Sequence, residues 1–271
     1  MLTLNIGSIP LAVPHLLIIG SLLIAVLTGA WLGRGSTHNI DRILFNCLVA
    51  ALLIARLAFV ARYFKHYQND LWRVVDIRDG GYIAWPGILV ALSMVTVQLW
   101  RRPGLRKPLG ISLIVGLLSW GLGNLAWQSM ERSTRLPELT LYSLEGRPIQ
   151  LTNLQGKPLV INLWASWCPP CRREMPVLAS AQSLYPDTQF VFVNQGEAEE
   201  TIQEYLAKAQ IDLHTVLLDP SGLIGKQVGS QALPTTLFYN AQGRQVGSHL
   251  GELSQASLAQ ALNQPSMETT P

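Results

Sequence analysis

The chain has 271 residues, of which 49% are hydrophobic and only 14% charged, and its formal net charge is +3. A soluble domain carries about 25% charged residues, so this composition predicts membrane-spanning segments. The small net charge argues against a nucleic-acid-binding protein. Because the apolar runs are concentrated in residues 1–130, we expect a transmembrane region followed by a soluble domain.

Four apolar runs are long enough to cross a bilayer, which takes about 20 mostly apolar residues. The predicted spanning helices cover residues 11–32, 43–60, 82–100 and 109–127. A bundle of buried soluble helices is the alternative, but such helices need a polar face that these runs lack. The first run is long for a signal peptide and follows no Lys or Arg, so we expect it to stay in the mature protein.

Basic residues in the connecting loops predict the orientation. Four spans place both termini on one side of the membrane, and the loop 101–107 on the other side has four positive charges and no acid. Arg34 and Arg42, after the first span, share that side, which the positive-inside tendency makes the cytoplasm. We therefore expect a multi-pass protein of the bacterial inner membrane whose C-terminal domain lies in the periplasm.

After a linker at residues 131–136, strands alternate with helices, which is typical of an α/β domain. We expect this domain to cover residues 137–263 and the polar residues 264–271 to form a flexible tail. In chain order, the predicted elements are strands at 139–142, 148–151 and 159–164, a helix from 169, a strand at 190–193, a helix at 199–209, strands at 216–218, 235–239 and 244–248, and a helix at 254–263.

Two of the three cysteines, Cys168 and Cys171, lie two residues apart just after a predicted core strand. A thiolate is the form that attacks a disulfide, and the start of a helix favours the thiolate of Cys168. Cys171, one turn later, can attack the resulting mixed disulfide and release the reduced partner. The intervening prolines are tolerated because the first helical turn needs no N–H donors. The pattern predicts a dithiol that cycles to a Cys168–Cys171 disulfide.

A structural zinc half-site and two unrelated core cysteines are the alternatives. A zinc site needs about four ligands, but the sequence has no second cysteine pair, and His214 and His249 stand alone. We expect neither a metal nor a cofactor. The third cysteine, Cys47, lies in an apolar segment and is expected to be a small buried hydrophobic residue.

Residues 164–176 resemble the active-site segment of the thioredoxin superfamily, and more closely the membrane-tethered TlpA/ResA group of extracytoplasmic thiol–disulfide oxidoreductases. The segments 156–158 and 233–236 also fall where that group has them. The resemblance covers residues 137–263. It implies a thioredoxin-like fold and a protein disulfide reductase that acts on periplasmic protein disulfides.

The resemblance also assigns roles to single residues. Pro234 would be a cis-proline that faces the disulfide, and Pro176 would kink the active-site helix. The residues expected to bind the substrate protein are Trp167, Pro169, Pro170, Leu233 and Thr235, the last two by offering backbone to an extended segment of the partner.

Glu174 is the expected proton acceptor. Thioredoxins carry a buried aspartate six residues before the first cysteine, but this chain has Asn162 there, which cannot accept a proton. The TlpA/ResA group uses a glutamate after the second cysteine, and Glu174 matches it. Its carboxylate would take the proton of Cys171 when that thiol attacks. The alternative is an ordinary acid on an exposed helix surface.

The resemblance implies that a membrane electron-donor protein recharges the dithiol, while net oxidation of partners stays an alternative. Membrane lipid is a further expected contact. A copper-delivery role is disfavoured, because such thioredoxin-like proteins typically use a CxxxC pair and a distant histidine.

Part of the membrane region resembles the first half of prolipoprotein diacylglyceryl transferase, at residues 5–7, 55–57 and 80–87. Trp85 stands where the transferase has the histidine of its HGG motif, so an active transferase is not expected. A lipid-binding or lipid-modifying protein with an attached redox domain remains the alternative function. Arg56, a charge inside a predicted span, either marks a function or snorkels to the interface.

Overall fold

The computed structural model describes residues 3–6, 9–33, 40–68, 71–133, 135–230, 232–264 and 267. Gly7 and Arg34, which enter the resemblance and the orientation argument, lie outside this set. The chain forms two compact units, a helical unit of residues 13–127 and an α/β unit of residues 128–271 that also includes residues 1–12. Each unit is described by itself.

The described part of the chain begins with two short antiparallel strands, followed by four α-helices. The strands are β1 (Thr3–Ile6) and β2 (Ile9–Ala12), and the helices are α1 (Val13–Leu32), α2 (Ile40–Arg62), α3 (Ala84–Arg101) and α4 (Arg106–Ser133). Large apolar side chains such as Leu27, Leu53 and Leu117 point outward from these helices. An outward apolar face suits a lipid environment.

Three segments of the described chain, not four, are long and apolar enough to cross a membrane: Val13–Leu32, Ile40–Arg62 and Pro103–Met130. The prediction of four spans is therefore wrong at its third member, 82–100, which is the 18-residue helix α3. Its 18 residues are long enough to cross a bilayer, so its composition, not its length, separates it from the other three. Helix α3 contains Gln98 and ends at Arg101, which lower its apolar character.

Helix α3 runs back along α2. It starts beside Ala55, whose carbonyl accepts a hydrogen bond from Ile83 N at 3.1 Å, and its Leu99 packs on a buried cluster near the start of α2. That cluster consists of Ala25, Ile40, Leu44, Leu105 and Leu109. One end of the helical unit therefore contains the C-terminal ends of α1 and α3 and the N-terminal ends of α2 and α4.

The glycines that carry the transferase resemblance have packing roles in this structure. A Cβ atom on Gly87 would lie 2.3 Å from the carbonyl oxygen of Ala51, and one on Gly81 would lie 2.1 Å from the ring of Phe59. Only a residue without a side chain allows the backbone to come this close.

Arg56 lies inside the helical unit and is only 7% exposed, which excludes snorkelling to the interface. Its guanidinium forms an ion pair with Asp79 at 2.8 Å and donates to the carbonyl oxygens of Asp76 at 2.5 Å and Gly81 at 3.0 Å. Tyr67 donates to the other oxygen of the Asp79 carboxylate at 3.2 Å. Through this ion pair and these hydrogen bonds, Arg56 of α2 binds the segment between α2 and α3.

The α/β unit is built on a seven-stranded sheet with the order β4-β3-β7-β6-β5-β8-β9. The strands are β3 (Thr140–Ser143), β4 (Pro148–Gln150), β5 (Leu159–Trp164), β6 (Gln189–Gln195), β7 (Val216–Asp219), β8 (Thr235–Tyr239) and β9 (Gln245–Leu250). The helices are α5 (Pro169–Leu184), α6 (Glu199–Ala209), α7 (Leu223–Val228) and α8 (Gln255–Leu262).

The central strand β5 is parallel to β6 and antiparallel to β8, and all six of its residues are buried. A continuous apolar run is typical of a strand covered on both faces. Trp164 at its end and Leu178 of α5 belong to the same hydrophobic core. The strand therefore brings the chain out of the core at a fixed point, immediately before the two cysteines.

Two ends of the α/β unit differ from the boundaries predicted by sequence. Helix α4 continues to Ser133, into the predicted linker. Of the predicted tail, the structure describes Gln264 and Met267, and Met267 is buried in the hydrophobic core. The remaining tail residues lie outside the described set.

Candidate active site

The two cysteines sit where β5 ends and α5 begins. Cys168 is the N-cap residue of α5, with an extended backbone, and Pro169 and Pro170 occupy the first two helical positions. The backbone N–H of Cys171 donates to the Cys168 sulfur at 3.3 Å. A helix start offers N–H groups that favour a negative charge, so this position suits a thiolate.

Cys168 and Cys171 are joined by a disulfide, with their Cα atoms 5.3 Å apart. The first cysteine of such a pair is expected to be exposed, but Cys168 is only 3% exposed and Cys171 is fully buried. Cys168 belongs to the hydrophobic core cluster, whereas its neighbour Trp167 is 66% exposed.

Cys168 is reached through a cavity of about 480 Å³. Four of the five residues predicted to bind the substrate line this cavity, namely Trp167, Pro169, Pro170 and Leu233. The fifth, Thr235, does not. It is buried in β8, and its hydroxyl lies 2.7 Å from both the Ser230 hydroxyl and the Ala232 carbonyl oxygen. The Thr235 side chain therefore does not line the cavity, and the contact of its backbone with a partner segment stays a prediction.

The peptide bond between Leu233 and Pro234 is cis. Pro234 is buried, and its carbonyl oxygen accepts a hydrogen bond from Gly251 N at 2.9 Å. Of the two residues flanking it, only Leu233 contributes to the cavity beside Cys168.

Glu174 lies on α5 one turn after Cys171 and is fully buried, which excludes the reading as an exposed surface acid. Residues three apart share a face of a helix, so the carboxyl group is on the side of Cys171. It accepts hydrogen bonds from Asn162 Nδ2 at 2.8 Å and from Leu253 N at 3.0 Å. Burial raises the pKa of Glu174 to about 8, and these two hydrogen bonds oppose the rise.

Asn162 sits on β5 behind the disulfide and is 1% exposed. Its Nδ2 donates both to Glu174 and to the Thr236 hydroxyl, the latter at 3.0 Å, while its Oδ1 has no partner among the described residues. Since an amide cannot titrate, Asn162 orients the Glu174 carboxyl but leaves proton uptake to Glu174.

Glu197, in the loop after β6, is a site residue that the sequence analysis missed. Its carboxylate accepts hydrogen bonds from Ser166 N at 2.7 Å, from the Ser166 hydroxyl and from Asn194 Nδ2 at 2.6 Å. The only sequence signal is a pair of polar residues, Asn194 and Glu197, that follow a buried strand. That signal does not say which loop they contact.

Metal ligation finds no support in the part of the chain that the structure describes, where no three His, Cys, Asp or Glu side chains lie together. His249 instead lies with a ring nitrogen 3.3 Å from the Glu252 carbonyl oxygen.

Comparison with known proteins shows what the α/β unit is similar to. The Redoxin family model matches residues 131–263. The thiol–disulfide oxidoreductase ResA of Halalkalibacterium halodurans is 32% identical over 117 residues, which are 42% of this chain and 66% of that protein. The thioredoxin-like protein YneN of Bacillus subtilis is 29% identical over 157 residues, 56% of this chain and 92% of that protein.

Among solved structures, a putative thiol:disulfide interchange protein DsbE from Chlorobium tepidum is 26% identical, covers 48% of this chain and 92% of its own, and has a TM-score of 0.44. By the family model and these relatives, residues 131–263 are similar to redoxin proteins, and the relatives support the activity of a thiol–disulfide oxidoreductase.

Proposed function

We propose that this chain is a membrane-anchored, extracytoplasmic oxidoreductase that reduces disulfides in partner proteins. The observation that carries the proposal is the disulfide-bonded pair at the start of α5, with Cys168 at a cavity and the buried carboxyl of Glu174 behind Cys171.

In the first step, the Cys168 thiolate of the reduced domain attacks one sulfur of a partner disulfide that enters the cavity. A mixed disulfide forms, and the partner's other sulfur leaves as a thiolate that takes a proton from water. The N–H of Cys171 stabilises the attacking sulfur before the reaction.

In the second step, Cys171 gives its proton to the Glu174 carboxylate and attacks the Cys168 sulfur. The bond between Cys168 and the partner breaks, and the partner leaves with both cysteines reduced. Two electrons pass to the partner, and the domain is left with the Cys168–Cys171 disulfide seen in the structure.

A dithiol donor must then reduce this disulfide, since the domain holds no other redox pair in the residues described; the third cysteine, Cys47, is a buried residue of α2 in the helical unit. We assign this role to a membrane electron-donor protein. If the membrane partner instead oxidises Cys168 and Cys171 to the disulfide, the same site would oxidise partner proteins. The reduction potential of the cysteine pair distinguishes the two directions.

The helical unit supports the membrane placement. The end where α2 begins and α4 begins carries the basic residues Arg42, Arg101, Arg102, Arg106 and Lys107. The other end carries Arg62, Lys65, Arg73 and Arg78, and there Arg56 and Arg78 are paired with Asp79 and Asp76. The positive-inside tendency puts the first end in the cytoplasm, and α4 then leads the chain to the extracytoplasmic side.

The test is to trap the partner in cell membranes with a Cys171→Ser variant of the full chain. Without its resolving thiol, this variant should accumulate mixed disulfides at Cys168 that dithiothreitol releases. A Cys168→Ser/Cys171→Ser double variant is the matched control and should capture nothing. Equal capture by the two variants would contradict the proposal.

A further inference from the structure

The loop that presents Cys168 is held by one side chain from the neighbouring strand end. Strands β5 and β6 are parallel, so the segments that follow them emerge at the same edge of the sheet. Glu197 comes two residues after β6, and its carboxylate contacts Ser166, two residues before Cys168. It also holds Asn194, which is 1% exposed and whose Oδ1 has no partner among the described residues.

The loop 165–168 is also held by Ala165 and Cys168, which are buried in the hydrophobic core, and by the Cys168 carbonyl oxygen, which accepts a hydrogen bond from Arg172 N at 3.1 Å. Its internal backbone hydrogen bond runs from Cys168 N to Ala165 O at 3.3 Å, which is long for such a bond. The next two residues, Pro169 and Pro170, have no N–H to donate. In contrast, Glu197 binds Ser166 through both its backbone N–H and its hydroxyl.

The same loop decides how well the Cys168 sulfur is stabilised. Because both prolines lack an N–H, the first helical donor that can reach this sulfur is Cys171 N, now 3.3 Å away. Cys168 is the last residue of the loop and the N-cap residue of α5, whereas Cys171 lies within the helix. A small rotation of the loop at Cys168 would therefore lengthen this contact.

We propose that Glu197 is a positioning residue: by holding Ser166 it keeps the Cys168 sulfur against the Cys171 N–H, and so keeps the attacking cysteine in its thiolate form. The proposal rests on the proposed function, because it concerns the first step of the same exchange. By charge alone, a nearby carboxylate would disfavour the thiolate. The hydrogen-bonding role and the charge effect therefore predict opposite results when Glu197 is replaced.

The experiment uses the reduced full chain in detergent, with Cys47→Ala so that only two thiols react. The rate of alkylation of Cys168 is followed against pH by fragmenting the labelled peptide, and the reduction potential of the pair is measured against glutathione. In Glu197→Ala, we expect the thiolate fraction of Cys168 near pH 6 to fall about threefold to tenfold, the factor that one lost hydrogen bond represents.

Two further variants sharpen the result. Glu197→Gln keeps an acceptor for Ser166 N and should lie between the wild type and Glu197→Ala. Glu199→Ala removes a carboxylate of α6 that contacts Gln203 instead, and should match the wild type. If Glu197→Ala does not fold, Ser166→Ala, which loses only the hydroxyl contact, should give a smaller fall in the same direction.

The proposal is overturned if Glu197→Ala melts at a lower temperature but keeps the wild-type pH profile and potential, because the role is then only structural. It is also overturned if the thiolate fraction rises in both Glu197 variants, which would indicate a charge effect. A wild-type chain that neither exchanges disulfides nor alkylates below the pH of an ordinary thiol would refute the proposed function instead.

Discussion

At the scale of single residues, the two buried carboxyl groups of Asp79 and Glu174 differ in the groups that contact them. Asp79 is paired with the Arg56 guanidinium at 2.8 Å, so its negative charge is compensated. Glu174 has only the neutral donors Asn162 Nδ2 and Leu253 N, and its pKa rises to about 8 because burial dominates. Such a group is mostly neutral at pH 7 and holds a proton reversibly near that pH.

Glu174→Gln should slow the second step of the exchange and spare the first. With a folded pKa of about 8, the carboxylate becomes populated as the pH rises through that value, so partner release by the wild type should speed up over the same range. In the variant, this rise should move to the higher pH at which Cys171 ionises unaided. The lifetime of the mixed disulfide is measured by rapid acid quench at a series of pH values.

The control for this prediction is Glu200→Gln, which changes a carboxyl group of α6 and should leave the lifetime unchanged. If Glu174→Gln kept the wild-type pH dependence, Glu174 would not be the proton acceptor.

At the scale of elements, the site depends on β5 and α5 being held in one core. Leu178 of α5 is fully buried among core residues, whereas Leu184 on the same helix is 69% exposed. The helix therefore has an inner face that fixes the cysteines relative to β5 and an outer face that contributes little to stability.

Leu178→Ala should lower the free energy of unfolding of the α/β unit by about 2–5 kcal/mol, through lost burial and the cavity left behind. Leu184→Ala, the matched control on the same helix, should change it by less than about 0.5 kcal/mol. Urea unfolding followed by tryptophan fluorescence measures both. Similar costs for the two variants would show that α5 does not pack as described.

In the helical unit, the element-scale contact is the ion pair between α2 and the segment before α3. Removing one partner of a buried pair leaves an uncompensated charge, which costs about 3–5 kcal/mol. Arg56→Met should therefore destabilise this unit strongly, while Arg56→Met combined with Asp79→Leu should recover much of the loss. Circular dichroism during unfolding in detergent measures the free energy of unfolding of both variants. An equal loss in the single and the double variant would contradict a buried ion pair.

At the scale of the whole molecule, the chain combines a helical unit with outward apolar faces and an α/β unit that matches the Redoxin family model. The described residues contain three helices that qualify as membrane spans, and α3 returns along α2 to the basic end of the bundle. The side of the membrane on which the α/β unit lies can therefore be tested by experiment.

We expect a protease added to intact spheroplasts to digest the α/β unit of the full chain. An epitope tag placed after residue 271 should disappear under this treatment, because the positive-inside tendency keeps the basic end of the bundle in the cytoplasm. A cytoplasmic protein serves as the control for lysis. Protection of the tag until the membrane is broken would place the domain in the cytoplasm.

The sequence by itself determined the local features of this protein. Apolar runs predict the helices of the first 130 residues, and the continuous run of β5 followed by a CxxC pair locates the reactive centre, because burial and thiol chemistry depend on nearby residues. The resemblance added Glu174 and Pro234. The limits of reading the sequence appear at α3, where a run that resembles a span contains Gln98 and ends at Arg101.

Only the tertiary structure decided which distant side chains meet. It buried Glu174 beneath Asn162 and Leu253, turned Thr235 away from the cavity, enclosed Arg56 with Asp79, and brought Glu197 to Ser166. The contacts of Glu174, Arg56 and Glu197 join residues 12 to 79 positions apart, and no short-range pattern encodes them. They follow from the order of strands in the sheet and the packing of helices, which fix the distances between loops that the sequence leaves open.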